Sequence, residues 1–234
     1  MTPSSVQENL ARIQERIERA AARAGRVAES INLIGVSKTH PASAIREAYE
    51  AGVRHFGENR VQEWEGKRAG TEGLGANWHL IGHLQSNKTA RAAKLFHSID
   101  SVDDFEISKR LDRARAEAGI TGKLRVLIEV RIAPEETKSG VEISELLGCV
   151  EKIAELPRLE LAGLMCIPPF LEEEERVRPF FRRLRELRED VAKRLDMVLP
   201  VLSMGMSHDF EVAIEEGATE IRVGTALFGT REIK

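Results

Sequence analysis

The chain has 234 residues, of which 42% are hydrophobic and 31% charged, a composition that suits one globular protein with a sizeable core. Its 35 basic and 38 acidic side chains give a net charge of −3, which provides no electrostatic footprint for nucleic acid or an anionic membrane. Two cysteines, no apolar leader at the start and no apolar run of membrane-spanning length predict a cytoplasmic protein without disulfides or a zinc site.

An amphipathic helix is predicted over 4–24, where Leu10, Ile13 and Ile17 form an apolar stripe. After it, short apolar runs alternate with longer stretches of helical periodicity, and Gly or Pro marks most junctions. The apolar runs are predicted as strands over 31–37, 54–58, 77–82, 95–100, 123–130, 160–167, 199–204 and 220–224. The helical stretches between them cover 41–51, 58–69, 86–94, 103–118, 143–155, 172–195 and 207–217.

Strands that alternate with helices predict βαβ units and a parallel sheet. Eight such units in series match the (β/α)₈ TIM-type barrel, although an open doubly wound sheet with fewer strands fits the same pattern. No linker or change in composition marks a second domain. We therefore predict an α/β protein with a single barrel domain over 1–234, in which a helix over 1–25 precedes a barrel over 31–229.

Lys38 directly follows the first predicted strand, at the end of the barrel where such folds carry their active sites. Its amine is expected between walls of low dielectric constant, which favour the neutral form that attacks an aldehyde. The alternative is a surface lysine that extends from a strand end into solvent, and the pattern alone does not choose between the two.

The loops after the last two predicted strands resemble phosphate-binding loops in composition. Ser203, Ser207 and Thr225 offer hydroxyl groups, and Gly205 and Gly224 allow close approach of backbone N–H groups to an anion. The alternative is ordinary turn chemistry, with Ser207 as the N-cap of the next helix. Because both loops occur in the expected order opposite Lys38, the pattern favours a ligand that is an aldehyde and carries a phosphate.

Arg222 lies inside the last predicted strand and alternates with Ile221 and Val223, so its side chain points to the opposite face. A buried arginine needs an acceptor, and the pyridine nitrogen of pyridoxal 5′-phosphate (PLP) is one. Arginine does not release its proton, so this contact would leave the ring nitrogen unprotonated and the ring a poor electron sink. The alternative is an ion pair with Glu129 or Glu220.

The remaining candidates do not form a second site. His79 and His83 are four residues apart, roughly 13 Å along a strand, which is too far for one metal ion. We predict His79 as a core histidine, His83 as lining the pocket, and Met165 as packing the core or the face of a bound ring. Cys166 is predicted to be a buried, inert thiol.

Motifs in nearly every strand–loop unit resemble those of the pyridoxal phosphate homeostasis proteins, from about residue 31 to 229. They are GVSKTHP (35–41), HFGENRVQE (55–63), WHLIGHLQSNK (78–88), TKSG (137–140), GLMCIPP (163–169), LSMGMSHDFEVAIEEGAT (202–219) and IRVGTALFG (221–229). The resemblance implies a barrel similar to the N-terminal domain of alanine racemase, without the second, β-rich domain of that enzyme. Residues that it places at PLP are Lys38 (Schiff base), Ser203, Gly224 and Thr225 (phosphate), Arg222 (pyridine nitrogen), and Asn59 and His83 (ring pocket).

Two classes of function fit these residues: a protein that stores PLP and hands it on, or a PLP enzyme such as an amino-acid racemase. By the resemblance, racemisation requires a second acid/base, a tyrosine from the additional domain, whereas Tyr49 is the only tyrosine and lies in a predicted helix. An aldolase that uses Lys38 without a cofactor is a third reading. We predict a non-catalytic, monomeric PLP homeostasis protein that stores PLP and hands it to apo-enzymes. Lys138 of the TKSG loop is a candidate secondary acceptor, and the alternative that the pattern favours is a solvated lysine near a helix start.

Overall fold

The computed structural model describes residues 5–133 and 139–229. Eight parallel strands form a closed barrel in chain order, and the last strand pairs with the first. This confirms the predicted (β/α)₈ barrel, and the alternative of an open doubly wound sheet is wrong. The strands are β1 Asn32–Val36, β2 His55–Glu58, β3 Asn77–Leu80, β4 Ser98–Val102, β5 Leu124–Glu129, β6 Leu159–Met165, β7 Val201–Met206 and β8 Glu220–Val223.

The α-helices lie outside the barrel; α2 to α8 connect successive strands, α1 precedes β1 and α9 follows β8. They are α1 Val6–Arg23, α2 Ala42–Ala51, α3 Val61–Lys67, α4 Thr89–Leu95, α5 Phe105–Glu117, α6 Leu146–Ala154, α7 Arg178–Leu195, α8 Phe210–Glu215 and α9 Thr225–Phe228. Short 3₁₀ turns cover Ala28–Ser30, Arg68–Thr71, Ser86–Lys88 and Glu174–Val177. Within 5–133 and 139–229, none of the helices combines the length and apolarity that crossing a bilayer requires.

Several predicted boundaries move. The strand predicted over 95–100 is β4 at 98–102, because Leu95 ends α4 and Phe96 packs its ring into the core from the following loop. The helix predicted over 172–195 begins with a 3₁₀ turn, and α7 starts at 178 with Pro179 in its first turn, where a missing N–H costs nothing. The helix predicted over 86–94 likewise begins as a 3₁₀ turn.

The predicted N-terminal helix is α1, and Ser5 caps it in a capping box with Glu8. Its buried stripe contains Leu10, Ile13 and Ile17, as predicted, and packs against α2, α8 and α9. The helix is thereby part of the layer that surrounds the barrel.

The two faces of the sheet differ in chemistry. Side chains such as Ile221 and Val223 join the large apolar core between strands and helices, whereas Glu220 and Arg222 alternate with them and point into the barrel. A small apolar cluster of Leu127, Ala162 and Met165 fills another part of the interior. The remaining interior side chains are mostly polar, and they fill the barrel below the rim that is formed by the carboxyl ends of the strands.

Candidate functional site at the carboxyl ends of the strands

All the predicted site residues lie at one rim of the barrel, because the carboxyl ends of eight parallel strands meet there. Lys38 follows β1 by two residues and is half-buried. The others are Asn59 directly after β2, His83 after β3, Met165 at the end of β6, Ser203 in β7, Arg222 in β8, Gly224 directly after β8 and Thr225 at the start of α9.

Arg222 is only 4% exposed and joins three strands through its guanidinium group. It donates one hydrogen bond to Ser203 Oγ and one to the carbonyl oxygen of Cys166, each 2.8 Å long. In the part of the chain that the structure describes, it makes no ion pair with Glu129 or Glu220, and Glu220 instead accepts from Arg125 at 2.7 Å. The alternative of a carboxylate partner for Arg222 is therefore wrong. Two of the five guanidinium N–H groups are used in these bonds.

Ser207 connects the two loops that were predicted to hold a phosphate. Its hydroxyl oxygen accepts hydrogen bonds from the backbone N–H groups of Gly224 and Ala226, at 3.2 and 3.3 Å. The alternative that Ser207 caps the next helix is wrong, because the N-cap of α8 is Asp209. Two backbone N–H groups that converge on one oxygen form a concavity suited to an anion.

The same loops lie beside the start of the segment that carries Lys38. A methyl group added at Gly224 would lie 3.4 Å from the carbonyl oxygen of Val36, two residues before Lys38. Met165 pairs in register with Ser203, and both side chains are fully buried. The amine thus follows β1, the buried arginine lies in the neighbouring strand β8, and the convergent N–H groups follow β8.

On the other side of the rim, the loops after β2 and β3 touch each other. A methyl group at Gly82 would lie 2.5 Å from the carbonyl oxygen of Asn59, so only glycine permits this approach. The ring of His83 is 56% exposed and lies 2.7 Å from a carboxylate oxygen of Asp103. A cavity of about 740 Å³ between these loops is lined by residues that include Asn59, His83 and Lys88.

Beneath the rim, polar side chains fill the barrel. His79 is 1% exposed, which confirms it as a core histidine, and its two ring nitrogens lie 3.0 Å from His55 Nδ1 and 2.9 Å from Asp100. Ligand-type atoms of His79, Asp100 and Glu220 lie within 4.8 Å of one another. Sequence reasoning missed this cluster, because its members come from β3, β4 and β8 with no diagnostic spacing.

Burial and neighbouring charges shift the pKa values of both carboxyl groups in this interior cluster. Burial raises the pKa of Glu220, and the neighbouring Asp100 raises it further. Burial also acts to raise the pKa of Asp100, but the interactions with His79 and Arg125 outweigh it and lower that pKa. Arg125 supplies positive charge beside Glu220 Oε1, and both nitrogens of His79 have partners, whereas Glu220 Oε2 is buried with no partner among the described residues.

Both cysteines are buried. Burial raises the pKa of the Cys149 thiol to about 11 and that of the Cys166 thiol to about 12, and the prediction that Cys166 is buried is confirmed. Cys166 contributes to the site through its backbone carbonyl, which Arg222 contacts. Lys138, predicted as a secondary acceptor, lies outside the described residues.

The comparisons with other proteins agree with this geometry. Residues 8–232 match the family model "Alanine racemase, N-terminal domain". A pyridoxal phosphate homeostasis protein from Aquifex aeolicus is 47% identical over 225 residues, which are 96% of this chain and 98% of the relative. The structure of PipY from Synechococcus elongatus with PLP bound matches with a TM-score of 0.81 and 40% identity, over 92% of this chain and 100% of PipY.

An alanine racemase from Clostridium difficile shares the fold alone. Its TM-score is 0.74 at 15% identity, over 97% of this chain and 60% of the racemase. Pyridoxal phosphate homeostasis proteins from Pseudomonas aeruginosa and Escherichia coli match at 46% and 43% identity over 98% of this chain. The chain therefore belongs to the pyridoxal phosphate homeostasis proteins, within the alanine racemase N-terminal domain family.

Proposed function

We propose that this protein binds PLP as a Schiff base on Lys38 and serves in PLP homeostasis, storing the cofactor and handing it on. The observation that carries the proposal is the juxtaposition of Lys38 with the convergent N–H groups of Gly224 and Ala226 at one rim. The PLP-bound structure of a relative with 40% identity supports the choice of ligand.

The residues at the rim fit PLP in charge and hydrogen bonding. The two N–H groups that point at Ser207 Oγ have the arrangement that a phosphate oxygen requires, and the Thr225 hydroxyl is exposed beside them. We propose Ser203, Gly224 and Thr225 as phosphate contacts and Arg222 as the donor to the pyridine nitrogen. We propose Asn59, His83 and Met165 as lining the ring. When bound, PLP supplies an aldehyde that condenses with a neutral amine.

We propose further that the protein catalyses little or no amino-acid chemistry. Arg222 keeps its proton, so a ring nitrogen that accepts from it stays unprotonated and the ring remains a weak electron sink. Tyr49 lies in α2, with its hydroxyl near Gly75 just before β3 begins, which is the end of the barrel opposite to Lys38. No described contact supports the second candidate, an amino-acid racemase, for which a base on the far face of the ring is needed.

We also propose that residues 1–234 form one PLP-binding domain and that the protein is a cytoplasmic monomer. Apo-enzymes that depend on PLP are the proposed recipients, and Lys138 is the proposed secondary acceptor during transfer. The near-complete coverage of the Aquifex relative supports the single domain. The balance of acidic and basic residues supports a partner other than nucleic acid or a membrane.

The test is an absorbance spectrum of the purified protein loaded with PLP, recorded before and after borohydride reduction and followed by peptide mapping. We expect a visible band that reduction abolishes and a pyridoxyl label on the peptide that contains Lys38. Lys88→Ala, a change at the neighbouring cavity, serves as a control and should leave the label unchanged. A label on another lysine in the wild-type protein would overturn the proposal for Lys38, and the absence of a visible band would overturn the bound Schiff base.

A further inference from the structure

A partly buried ion cluster lies behind the barrel wall at the end of β1, and it holds the residues on both sides of Lys38. We define the Lys67 cluster as Ser37, Thr39, Glu58, Glu63 and Lys67.

Ser37 is fixed at three of its polar groups. Its N–H donates to the carbonyl oxygen of Gly57 at 3.0 Å and extends the pairing of β1 with β2 by one residue. Its hydroxyl donates to Glu58 Oε1 at 2.6 Å, and its carbonyl oxygen accepts from Lys67 Nζ at 2.8 Å. The residue directly before Lys38 therefore has little freedom to move.

Lys67 is the centre of the cluster. Besides the Ser37 carbonyl, its ammonium group contacts Glu58 Oε1 and Glu63 Oε1, each at 2.9 Å, and its side chain is 12% exposed. Glu58 is fully buried, and its Oε2 atom has no partner among the described residues. Removal of Lys67 would leave a buried carboxylate with Ser37 as its only described partner, so the cluster depends on this lysine.

Glu63 holds the residue after Lys38. Its Oε1 atom accepts a short hydrogen bond from the Thr39 N–H group. Thr39 has a φ angle of +66°, a left-handed conformation that is unfavourable for a β-branched residue and persists only where its surroundings fix it. Burial acts to raise the pKa of Glu63, but the bonds from Thr39 and Lys67 outweigh it and lower the pKa.

The cluster and the amine of Lys38 lie on opposite faces of the wall. A methyl group at Gly35 would contact Leu227, Val53 and Phe56 of the apolar core, so Gly35 faces the helices. By strand alternation, Ser37 shares that face and Lys38 points to the interior face. The Lys67 cluster thus contacts the backbone on either side of Lys38 without entering the mouth of the barrel.

We propose that Lys67, together with Glu58 and Glu63, positions Lys38 by fixing the backbone of Ser37 and Thr39. This inference rests on the proposed role of Lys38 as the PLP-binding amine. Its consequence is that the direction of the lysine side chain, and with it the orientation of the bound ring, is set from behind the wall. Loss of the cluster should weaken PLP binding and alter ring orientation even though no member touches the ligand.

The test compares Lys67→Met, Lys67→Arg and a matched control, Arg178→Met. Arg178 is also a cation held by carboxylates, those of Glu175, Glu215 and Glu216, and neither it nor these partners is a proposed PLP contact. For each protein we would measure the PLP dissociation constant, the visible circular dichroism of bound PLP and the thermal unfolding of the apo-protein. The visible circular dichroism reports ring orientation, which a general loss of stability does not change.

We expect Lys67→Met to raise the dissociation constant about tenfold or more and to change the visible circular dichroism per bound PLP. Lys67→Arg should recover most of both properties, because it restores the positive charge between Glu58 and Glu63. Arg178→Met should lower the unfolding temperature and leave both properties unchanged. Should Lys67→Met not fold, Glu63→Gln, which weakens the contact with Thr39, takes its place with the same expected directions.

The proposal is overturned if Lys67→Met binds PLP with wild-type affinity and circular dichroism, or if Arg178→Met shows the same changes as Lys67→Met. Peptide mapping after borohydride reduction separates this failure from that of the proposed function. A label on Lys38 in the wild-type protein together with an unaffected Lys67→Met variant refutes positioning alone. A wild-type label on another lysine refutes the role of Lys38 and, with it, this inference.

Discussion

Arg222 permits the most exact prediction, because its two hydrogen bonds are defined and buried. Arg222→Met removes the donors to Ser203 Oγ and the Cys166 carbonyl, each at 2.8 Å. A hydrogen bond to a charged group contributes about 1.5–3 kcal/mol, so two of them give roughly 3–6 kcal/mol. Methionine retains much of the volume and removes the cost of burying a cation, which offsets part of the loss. We expect the free energy of unfolding of the apo-protein to fall by about 2–4 kcal/mol.

Equilibrium unfolding in urea measures this change, and Arg115→Met is the matched control. Arg115 is also buried and donates to two carbonyl oxygens, those of Ala93 at 3.1 Å and Gly122 at 2.8 Å. Gly122 precedes β5, so this arginine lies at the opposite end of the barrel. Both variants should lose stability to a similar degree, but only Arg222→Met should weaken PLP binding and change the visible spectrum.

Two results would contradict this reasoning. An Arg222→Met protein as stable as the wild type would show that the two buried hydrogen bonds contribute no net stability. Unchanged PLP affinity and an unchanged visible spectrum would remove Arg222 from the proposed contact with the ring nitrogen. Arg222→Lys keeps the charge without the planar fork, and we expect it to restore less than half of the lost stability.

The remaining predictions concern the phosphate, pH and catalysis. Thr225→Ala should weaken PLP binding by about 1.5–3 kcal/mol and leave the affinity for pyridoxal, which has no phosphate, nearly unchanged. Equal losses of binding free energy for PLP and pyridoxal would refute the phosphate contact. Gly224→Ala should be tolerated in the apo-protein, because its methyl group meets Val36 at ordinary contact distance; urea unfolding should show unaltered stability and a PLP titration weaker binding. Burial lowers the pKa of His55 from 6.5 to about 4, so between these pH values the folded state binds fewer protons than the unfolded state. Urea unfolding should therefore show that the free energy of unfolding falls as the pH is lowered from 6.5 towards 4, and that it falls less steeply in His55→Gln. The same dependence on pH in both proteins would contradict this prediction. Exchange of the α-hydrogen of alanine for deuterium should stay well below about 1 s⁻¹ in the holo-protein, and faster turnover would indicate an enzyme.

The sequence was sufficient for the barrel and for the face on which Arg222 lies. The alternation of Glu220 and Arg222 with Ile221 and Val223 predicted their opposite directions, and the structure confirms them. The acceptors of Arg222 were not predictable, because they lie 19 and 56 residues earlier in the chain and no spacing rule connects them. Sequence patterns therefore locate a side chain on a strand better than they identify its partners.

Two further differences have local physical causes. The apolar residues Leu95 and Phe96 suggested a strand, but they serve the core from the end of a helix and a loop, and apolarity alone does not distinguish these uses. The Lys67 cluster was missed because Lys67 is polar and lies on a short helix, where a solvated lysine is the usual expectation. Only the three-dimensional arrangement brings it behind Lys38.

The deep burial of both thiols has a chemical consequence for a protein that carries an aldehyde. Thiolates are strong nucleophiles that add to aldehydes, and an accessible cysteine near the rim would compete with Lys38 for the same carbon. Cys166 lies at the rim by sequence, yet it offers only its carbonyl oxygen, and burial keeps the thiols of Cys166 and Cys149 protonated at neutral pH. At the rim, the amine of Lys38 is therefore accessible to an aldehyde, with which it forms a bond that water can reverse. The thiol of Cys166 is buried and does not compete for the same carbon.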